Sequence, residues 1–435
     1  MSHPPDLELL YSLDDWPPPG SSILFGMQWL ALMLPLVMIP ASVLSYGFNL
    51  SPGQQVDYLQ RIILLTGIGT FIQAVLGNRL ALVSGPAAVL MVGYLAAGGR
   101  SIYSFSGAII LGGSLLLVLG ASGWLKRLMR LFTPNVVAAI LILVAISLIP
   151  VVTGMAAGID SEHPHGQTLV FFRAVALAMI IIFMSRYLPG IFRPLAIFIG
   201  IIIGMILNAL TGNISLDHSL EHQWVSFPAF AAINLDDWSP RILLPFFFCY
   251  VALAVNEIGS VQGMGKLLEI KDLDKRQDRS FIFEGIINIA SGLMGTIGAV
   301  SYSLSPGMVS VTKVASRYMT AIGAAILFLI GFSPKAANLL NLIPADVSAS
   351  ALLAILGTQI GAGVAILFRK AQMTGRDFMV VGFPVILGGI TAFLPVDFFS
   401  GLPVYLHGLL SNSMVTGVIA VLILEHGLRP QKSSE

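Results

Sequence analysis

Glu257 stands well inside an apolar stretch, residues 242–265, with about fifteen uncharged residues ahead of it. An isolated carboxylate at membrane depth costs roughly 3 kcal/mol on insertion scales, so such a group is paired, hydrogen-bonded or protonated. It can therefore hold a proton, a cation or a donor-bearing substrate. Asn256, Ser260 and Gln262 add donors and acceptors, and Ser260 falls three residues from Glu257 and four from Asn256, so a helix can gather the set on one side. The plainer alternative for Glu257 is a neutral acid bonded to backbone between packed spans. Glu284, five residues after Arg279, is expected near the inner end of its segment, capping or pairing locally, with a place in a gating network as the alternative.

Two other stretches offer backbone rather than side chains. LALVSGPAAVLMVG at 80–93 and VSYSLSPGMVSVT at 300–312 are too broken for ordinary membrane helices. Leu80 lies 58 residues after Ser22, and Val300 lies 58 after Ile242, which is the spacing of a repeat. Paired Gly/Pro-interrupted segments point to a secondary transporter's substrate site, because unwound backbone at mid-membrane is tolerated only where it is buried or lines a cavity. If short strands lead into half-helices here, the residues at 84–87 and 303–307 would aim N–H donors at a polar ligand. Two proline-kinked packing helices are the alternative.

The elements that position these groups are membrane spans. The 435 residues are 56% hydrophobic and 10% charged, with a mean hydropathy of +0.87, which marks an all-α polytopic membrane protein. About fourteen segments are expected, beginning near 22, 55, 80, 104, 132, 168, 191, 242, 281, 300, 318, 346, 378 and 405. With both termini inside, all of the 23 basic residues except Arg61, Arg100, Arg173, Arg241 and Lys335 fall on the inner side. The outer loops around 155–167 and 211–240 collect Asp160, Glu162, Asp217, Glu221, Asp236 and Asp237, a positive-inside distribution. Odd-span units flip at each repetition, so two seven-span halves, about 22–210 and 242–425, relate as inverted repeats. Residues 123–132, with three cations and Trp124, read as an interfacial helix. Gly200 and Gly204 have the spacing for close helix packing within the chain.

Cys249, alone of its kind, reads as a buried, inert thiol. A net charge of +1 gives no pull toward a nucleic acid polymer. The histidines suggest no metal ligand, and hydrolase and nucleotide-phosphate motifs are missing, so neither an enzyme nor a cofactor is expected. The acidic, proline-rich start predicts no cleavable signal peptide.

Several runs resemble the nucleobase-ascorbate transporter family, also called xanthine/uracil permeases or nucleobase-cation symporter-2. They are YSLDDWPPPGSSILFGMQWLALM at 11–33, TGIGTFIQAVLGNRLALVSGPA at 66–87, RSFIFEGIINIASGLMGTIG at 279–298 and SPGMVSVTK at 305–313. The likeness runs through most of the chain. It implies a core domain of spans 1–4 and 8–11 (22–121 and 242–333) and a gate domain of spans 5–7 and 12–14 (122–210 and 334–425). Cytoplasmic tails at 1–21 and 426–435 and an extracytoplasmic loop at 211–241 complete the division. The resemblance further implies short strands in spans 3 and 10, proton- or sodium-coupled uptake of a purine, a pyrimidine or ascorbate, and a homodimer through the gate.

The chain departs from the family pattern where a base would be read. Gln28-Trp29 replaces Gln-His in span 1. The Ile258-Gly259 anchor sets Asn256 at the span-8 glutamate position and Ser260 at the second polar position, leaving Glu257 one residue out of register. The Gln or Glu of span 10 becomes Leu304, followed by Ser305, and a base-stacking aromatic corresponds to Ala88. The leading expectation is a cation-coupled symporter of the plasma membrane, a bacterial inner membrane, carrying a nucleobase or similar heterocycle by an elevator-like movement. Asn256, Glu257 and Ser260 would meet the ligand or coupling proton, backbone around Ala87, Ala88, Leu304 and Ser305 would close the site, and Gln28 would contribute from span 1. The alternative is an anion transporter or exchanger on the related sulfate-permease-like architecture, which the loss of a base reader at Leu304 favours.

Overall fold

The computed structural model describes residues 8–96, 101–128, 131–211, 223–228, 238–368, 373–399 and 401–428. Arg100, Asp217, Glu221, Asp236 and Asp237 lie outside the described residues. The fold is almost wholly helical. α1 (Pro19–Gly47) and α2 (Pro52–Val75) lead into a three-residue strand, β1 (Ser84–Pro86), then α3 (Ala88–Ala96) and α4 (Ser106–Ser122). A single turn, α5 (Leu125–Leu128), precedes α6 (Pro134–Ala157), α7 (Thr168–Tyr187) and α8 (Ala196–Leu210). α9 (Pro240–Leu267), α10 (Leu273–Leu293), β2 (Ala299–Ser301), α11 (Ser305–Thr312) and α12 (Arg317–Ile330) follow in the same order of element types as the first five. α13 (Pro334–Asn341), α14 (Ala345–Phe368), α15 (Gly375–Phe393), α16 (Val404–Leu410) and α17 (Ser413–Gly427) complete the chain.

The protein is a multi-pass membrane protein. Among the described residues, eight helical stretches are long and apolar enough to cross a bilayer: α1, α2, 102–122, α6, α7, 242–267, α14 and α15. Helices stand near the other expected starts too, but α3, α8, α11 and α17 are short, α10 opens on a charged turn, and α12 and α13 meet at a 100° bend. That bend has a local cause. Pro334 disfavours helical backbone at Ser333, whose Oγ instead caps α13 by accepting the Ala336 N–H at 3.2 Å. α10 begins at Leu273 rather than near 281, because an Arg276–Asp272 pair at 2.8 Å stabilises an extra charged turn. Arg276 also holds the Asp272 carboxyl below the usual aspartate range.

Helices assemble in two groups. In the first, α4 meets α10 backbone to backbone: a side chain at Gly113 would sit 2.7 Å from Ile289 N, and one at Gly285 2.6 Å from Gly113 O. α1 approaches α12 as closely, since a side chain at Gly323 would lie 2.6 Å from Gly26 O. Small residues permit this approach where lipid supplies no hydrophobic drive between helices. In the second group α6 packs on α14, α15 and α17, and α8 rests on α7 and α14, where a side chain at Gly204 would begin 2.6 Å from Leu177 and 2.7 Å from Val347. The Gly200/Gly204 step thus serves packing inside the chain. α13, grouped by sequence with the gate, is held to α2 by Asn341 Nδ2 donating to Gln55 Oε1 at 3.1 Å. α7 and α15 turn Phe172, Phe183, Phe383 and Phe393 outward, as a lipid-facing surface requires.

β1 and β2 cross inside the first group. They pair antiparallel, Ser84 opposite Ser301, Gly85 opposite Val300 and Pro86 opposite Ala299, and all six residues are buried. Far from water, each strand satisfies its polar backbone on the other and on neighbouring side chains. Outside the crossing, residues 10–15 run beside 313–317, with Ala315 N donating to Tyr11 O at 2.9 Å and Arg317 Nε to Asp14 Oδ1 at 2.6 Å.

Candidate functional site

The strand pair is the centre of a buried polar belt. Thr70 on α2 accepts the Ser84 N–H at 3.0 Å and donates to Ser84 O at 2.8 Å. Asn288 on α10 donates to Ala299 O at 3.0 Å, and Ser260 Oγ lies 2.7 Å from Ser301 O. Each strand also binds one carboxyl group. Glu257 accepts from Ser301 N at 2.7 Å, Ser301 Oγ at 2.9 Å and Ser280 Oγ at 2.5 Å. Glu284 accepts from Ser84 Oγ at 2.8 Å and from Gln73 Nε2 at 2.7 Å. Both acids are fully buried, and among the described residues no cation pairs with either. Glu284 therefore does not cap or pair with Arg279 at an interface: α10 begins early enough to carry it into the interior.

α9 presents different residues on different stripes. Tyr250, Glu257 and Met264, seven apart, are buried against the belt, with Tyr250 OH donating to Asn288 Oδ1 at 2.8 Å. Cys249, Asn256 and Gly263 form the neighbouring stripe, about 100° away. Cys249 lies toward α3, its Sγ 3.3 Å from where a side chain at Gly93 would begin, and Gly263 lies toward α11, 3.8 Å from Pro306 Cγ on the same measure. Asn256, midway between them, faces the gap between the two half-helices. Its carboxamide has no hydrogen-bond partner among the described residues, and a side chain at Gly259 or Gly307 would meet nothing within 4 Å. The space beside Asn256 is open.

The two half-helix ends differ. At α3, Ala87 N is taken by Gly298 O at 2.9 Å, while the N–H groups of Ala88 and Val89 have no backbone partner. At α11, Ser305 N bonds Tyr302 O at 3.2 Å, Pro306 has no N–H, and Gly307 N bonds Leu304 O at 3.0 Å, so the first turn closes on itself. Leu304 is 42% exposed beside the open space. Of the sequence-derived residues, Asn256 and Ala88 are half-buried and Leu304 is exposed. Glu257, Ser260, Ala87 and Ser305 are sealed into the belt, where Ser305 Oγ accepts the Val83 N–H at 3.1 Å. Gln28 sits half-buried on α1, its Nε2 shut off from solvent and unpartnered.

Sequence reading missed Gln73, Ser84, Ser280, Asn288 and Ser301 as partners of the acids. A signal existed on α10: Gln277, Ser280, Glu284, Asn288 and Ser291 recur at helical spacing and are all buried, a polar stripe on one side of an otherwise apolar helix. Among the described residues, no group of three or more His, Cys, Asp or Glu side chains comes together.

A family model named Xan_ur_permease, described as a permease family, matches residues 20–397. A putative purine permease of Clostridium perfringens (strain 13 / Type A) is 26% identical over 434 residues, covering 99% of this chain and 95% of that protein. The uric acid transporter UacT of Escherichia coli (strain K12) is 24% identical, covering 93% and 86%. Among solved structures, the murine anion transporter Slc26a9 in an inward-facing state superposes with a TM-score of 0.65 at 13% identity, covering 96% of this chain and 69% of that one. The transmembrane domain of a cyanobacterial bicarbonate transporter, BicA, gives 0.62 at 15% identity, covering 85% and 96%. These two likenesses concern the fold.

Proposed function

The chain belongs to the xanthine/uracil permease family, and from that premise we propose that it is a secondary active transporter moving a nucleobase or similar small polar heterocycle together with a proton. It is a permease and not an enzyme. Asn256 reads the ligand, because a carboxamide both donates and accepts and so matches the HN–C=O edge of an oxopurine or uracil. The free N–H groups of Ala88 and Val89 meet a ligand carbonyl, and Leu304 supplies apolar contact. Glu257 and Glu284 carry the coupling proton.

The observation that carries the reading is the pair of carboxyl groups bonded only to hydroxyls, an amide and a backbone N–H. In a membrane interior a proton removes charge at once, whereas a metal ion would have to displace those bonds. The first helix group (22–121 and 242–333, with α13 packed on it) is the core and the second (122–210 and 345–425) the gate, and core moves against gate in an elevator-like step. The packing in two groups and the fold likeness support this. Fourteen spans in two inverted halves, both termini in the cytoplasm of a plasma membrane and a homodimer through the gate complete the reading, supported by the charge distribution and the order of elements.

Anion exchange is the second reading. The free N–H groups of α3, the absence of an acid on the Asn256 stripe and the fold likeness favour it. Uptake of labelled uric acid, xanthine and uracil into proteoliposomes under an inward proton gradient separates the two. The expected result is gradient-driven uptake of one of them, lost in Glu257→Gln. Uptake in Glu257→Gln with an unchanged pH profile removes the coupling role. Chloride or bicarbonate flux without pH dependence, and no nucleobase flux, establishes the second reading.

A further inference from the structure

Resting on the coupling role proposed for Glu257, we infer that Ser280 is a positioning residue whose hydroxyl switches between two acceptors and so reports the protonation of Glu257 to the turn ahead of β1. Ser280 is fully buried on α10 and belongs to three connections at once. Its Oγ donates to Glu257 Oε1 at 2.5 Å and accepts from Asn78 Nδ2, in the α2–β1 turn, at 3.0 Å. Its carbonyl accepts at 3.0 Å from Gln73 Nε2, the same amide that donates to Glu284.

Counting hydrogens gives the switch. Glu257 receives three donors, the Ser280 hydroxyl and the N–H and hydroxyl of Ser301, an arrangement that suits a carboxylate. When a proton binds, the new O–H needs an acceptor and one donor must turn away. Ser280 has a place to turn. A serine hydroxyl in a helix reaches the carbonyl four residues back, as Ser114, Ser291 and Ser310 do here at 2.8, 2.9 and 2.8 Å. For Ser280 that acceptor is the carbonyl of Arg276. The protonated Glu257 donates to Ser280 Oγ, the Ser280 hydrogen moves from Glu257 to Arg276 O, and Asn78 keeps its bond to the second lone pair of Oγ. No covalent bond changes, and the only atom gained is the proton on Glu257.

Arg276 closes the circuit, because its Nη1 donates to Asn78 O at 3.3 Å and Arg79 O at 2.8 Å. Both ends of the switch thus act on the turn that starts β1. Most of the titratable and charged groups on α9 and the elements packed against it gather toward the helix ends. α10 brings Glu284 and, in its first turns, Asp274, Lys275, Arg276, Asp278 and Arg279; the residue after β2 is Tyr302, α3 brings Tyr94, α16 Tyr405 and His407 and α17 Glu425 and His426, while α9 itself carries Arg241, Cys249, Tyr250 and Lys266; α4 and α11 bring none. Of these, Glu284 shares the Gln73 amide with Ser280.

The test is the pH profile of labelled uric acid or xanthine uptake by the full chain in proteoliposomes, together with binding of the same probe. In Ser280→Ala, binding persists and the profile moves to the alkaline side by about one pH unit, because the ionised Glu257 has lost a donor. Ser280→Thr, which keeps the hydroxyl, restores it. If Ser280→Ala does not fold, Ser280→Cys, nearly isosteric with a weak S–H donor, gives the same shift. A profile unmoved in Ser280→Ala or Ser280→Cys while Glu257→Gln abolishes it overturns the switch and leaves the coupling reading standing. A profile that Glu257→Gln leaves intact overturns both.

Discussion

The two broken segments occupy matching places in the chain, yet the first is tightly packed at its glycines and the second is open on one side. A side chain at Gly85 would begin 2.9 Å from the Tyr302 ring and one at Gly93 3.1 Å from Phe246, whereas one at Gly307 would meet nothing within 4 Å. The first segment keeps two N–H groups without a backbone partner at the start of α3; the second offers exposed Leu304 and no free donor in its first turn. The difference teaches that a similar strand-to-helix design can provide a rigid, donor-bearing end and an accessible, apolar end of one site.

The largest effect expected on that contrast comes from Glu284→Ala. It leaves the Gln73 amide and the Ser84 hydroxyl buried without their acceptor, at about 1–3 kcal/mol for each orphaned group. Thermal unfolding in detergent should fall by several degrees, and gradient-driven uptake should vanish. An unchanged transition would mean that the first segment is not held by its acid.

Gly85→Ala follows, since the Tyr302 ring, tied by its hydroxyl to Pro86 O at 2.6 Å, must shift. A loss of about 1–3 kcal/mol is expected, read in the same unfolding experiment. The matching change in the second segment, Gly307→Ala, should be neutral or stabilise by up to about 1 kcal/mol, because a helix gains from losing glycine and nothing obstructs the methyl. Equal destabilisation at both positions would erase the contrast.

Leu304→Ala should leave the unfolding temperature within about a degree while weakening binding of the transported probe severalfold, since the side chain is half in the open space. The smallest effect belongs to Asp272→Ala. Asp272 titrates below its ordinary 3.8 in the native protein because Arg276 favours its anion. The stabilisation is therefore complete above the unfolded value and lost as pH falls through the native one. Asp272 is largely exposed, so solvent screening leaves a few tenths of a kcal/mol. Comparing the variant's unfolding at neutral pH with that at pH near 3 reads it.

Much of the frame was legible in the sequence. The long apolar runs, the Gly/Pro interruptions at 84–87 and 303–307 and the family-like motifs identified a helical, multi-pass permease with two broken segments. The site was legible only in part. Asn256 is half-buried and Leu304 exposed, whereas Glu257 and Ser260, adjacent in the same reading, face the belt. Helix pattern grouped Asn256 with Glu257 because both lie within one turn, and no hydrophobic face exists on α9 to say which way the turn points.

Composition and spacing by themselves determined the class, the order of elements and the places where helix must break, because those follow from local rules on hydrophobic length, proline and glycine. Tertiary structure alone decided that Glu284 is interior, that Ser84 pairs with Ser301, and that Glu257 looks inward while Asn256 looks out. A single residue turns a helix by about 100°. In a helix apolar nearly all round, that rotation is fixed only by what packs against it, here the strand crossing and the glycine-lined contact of α4 with α10.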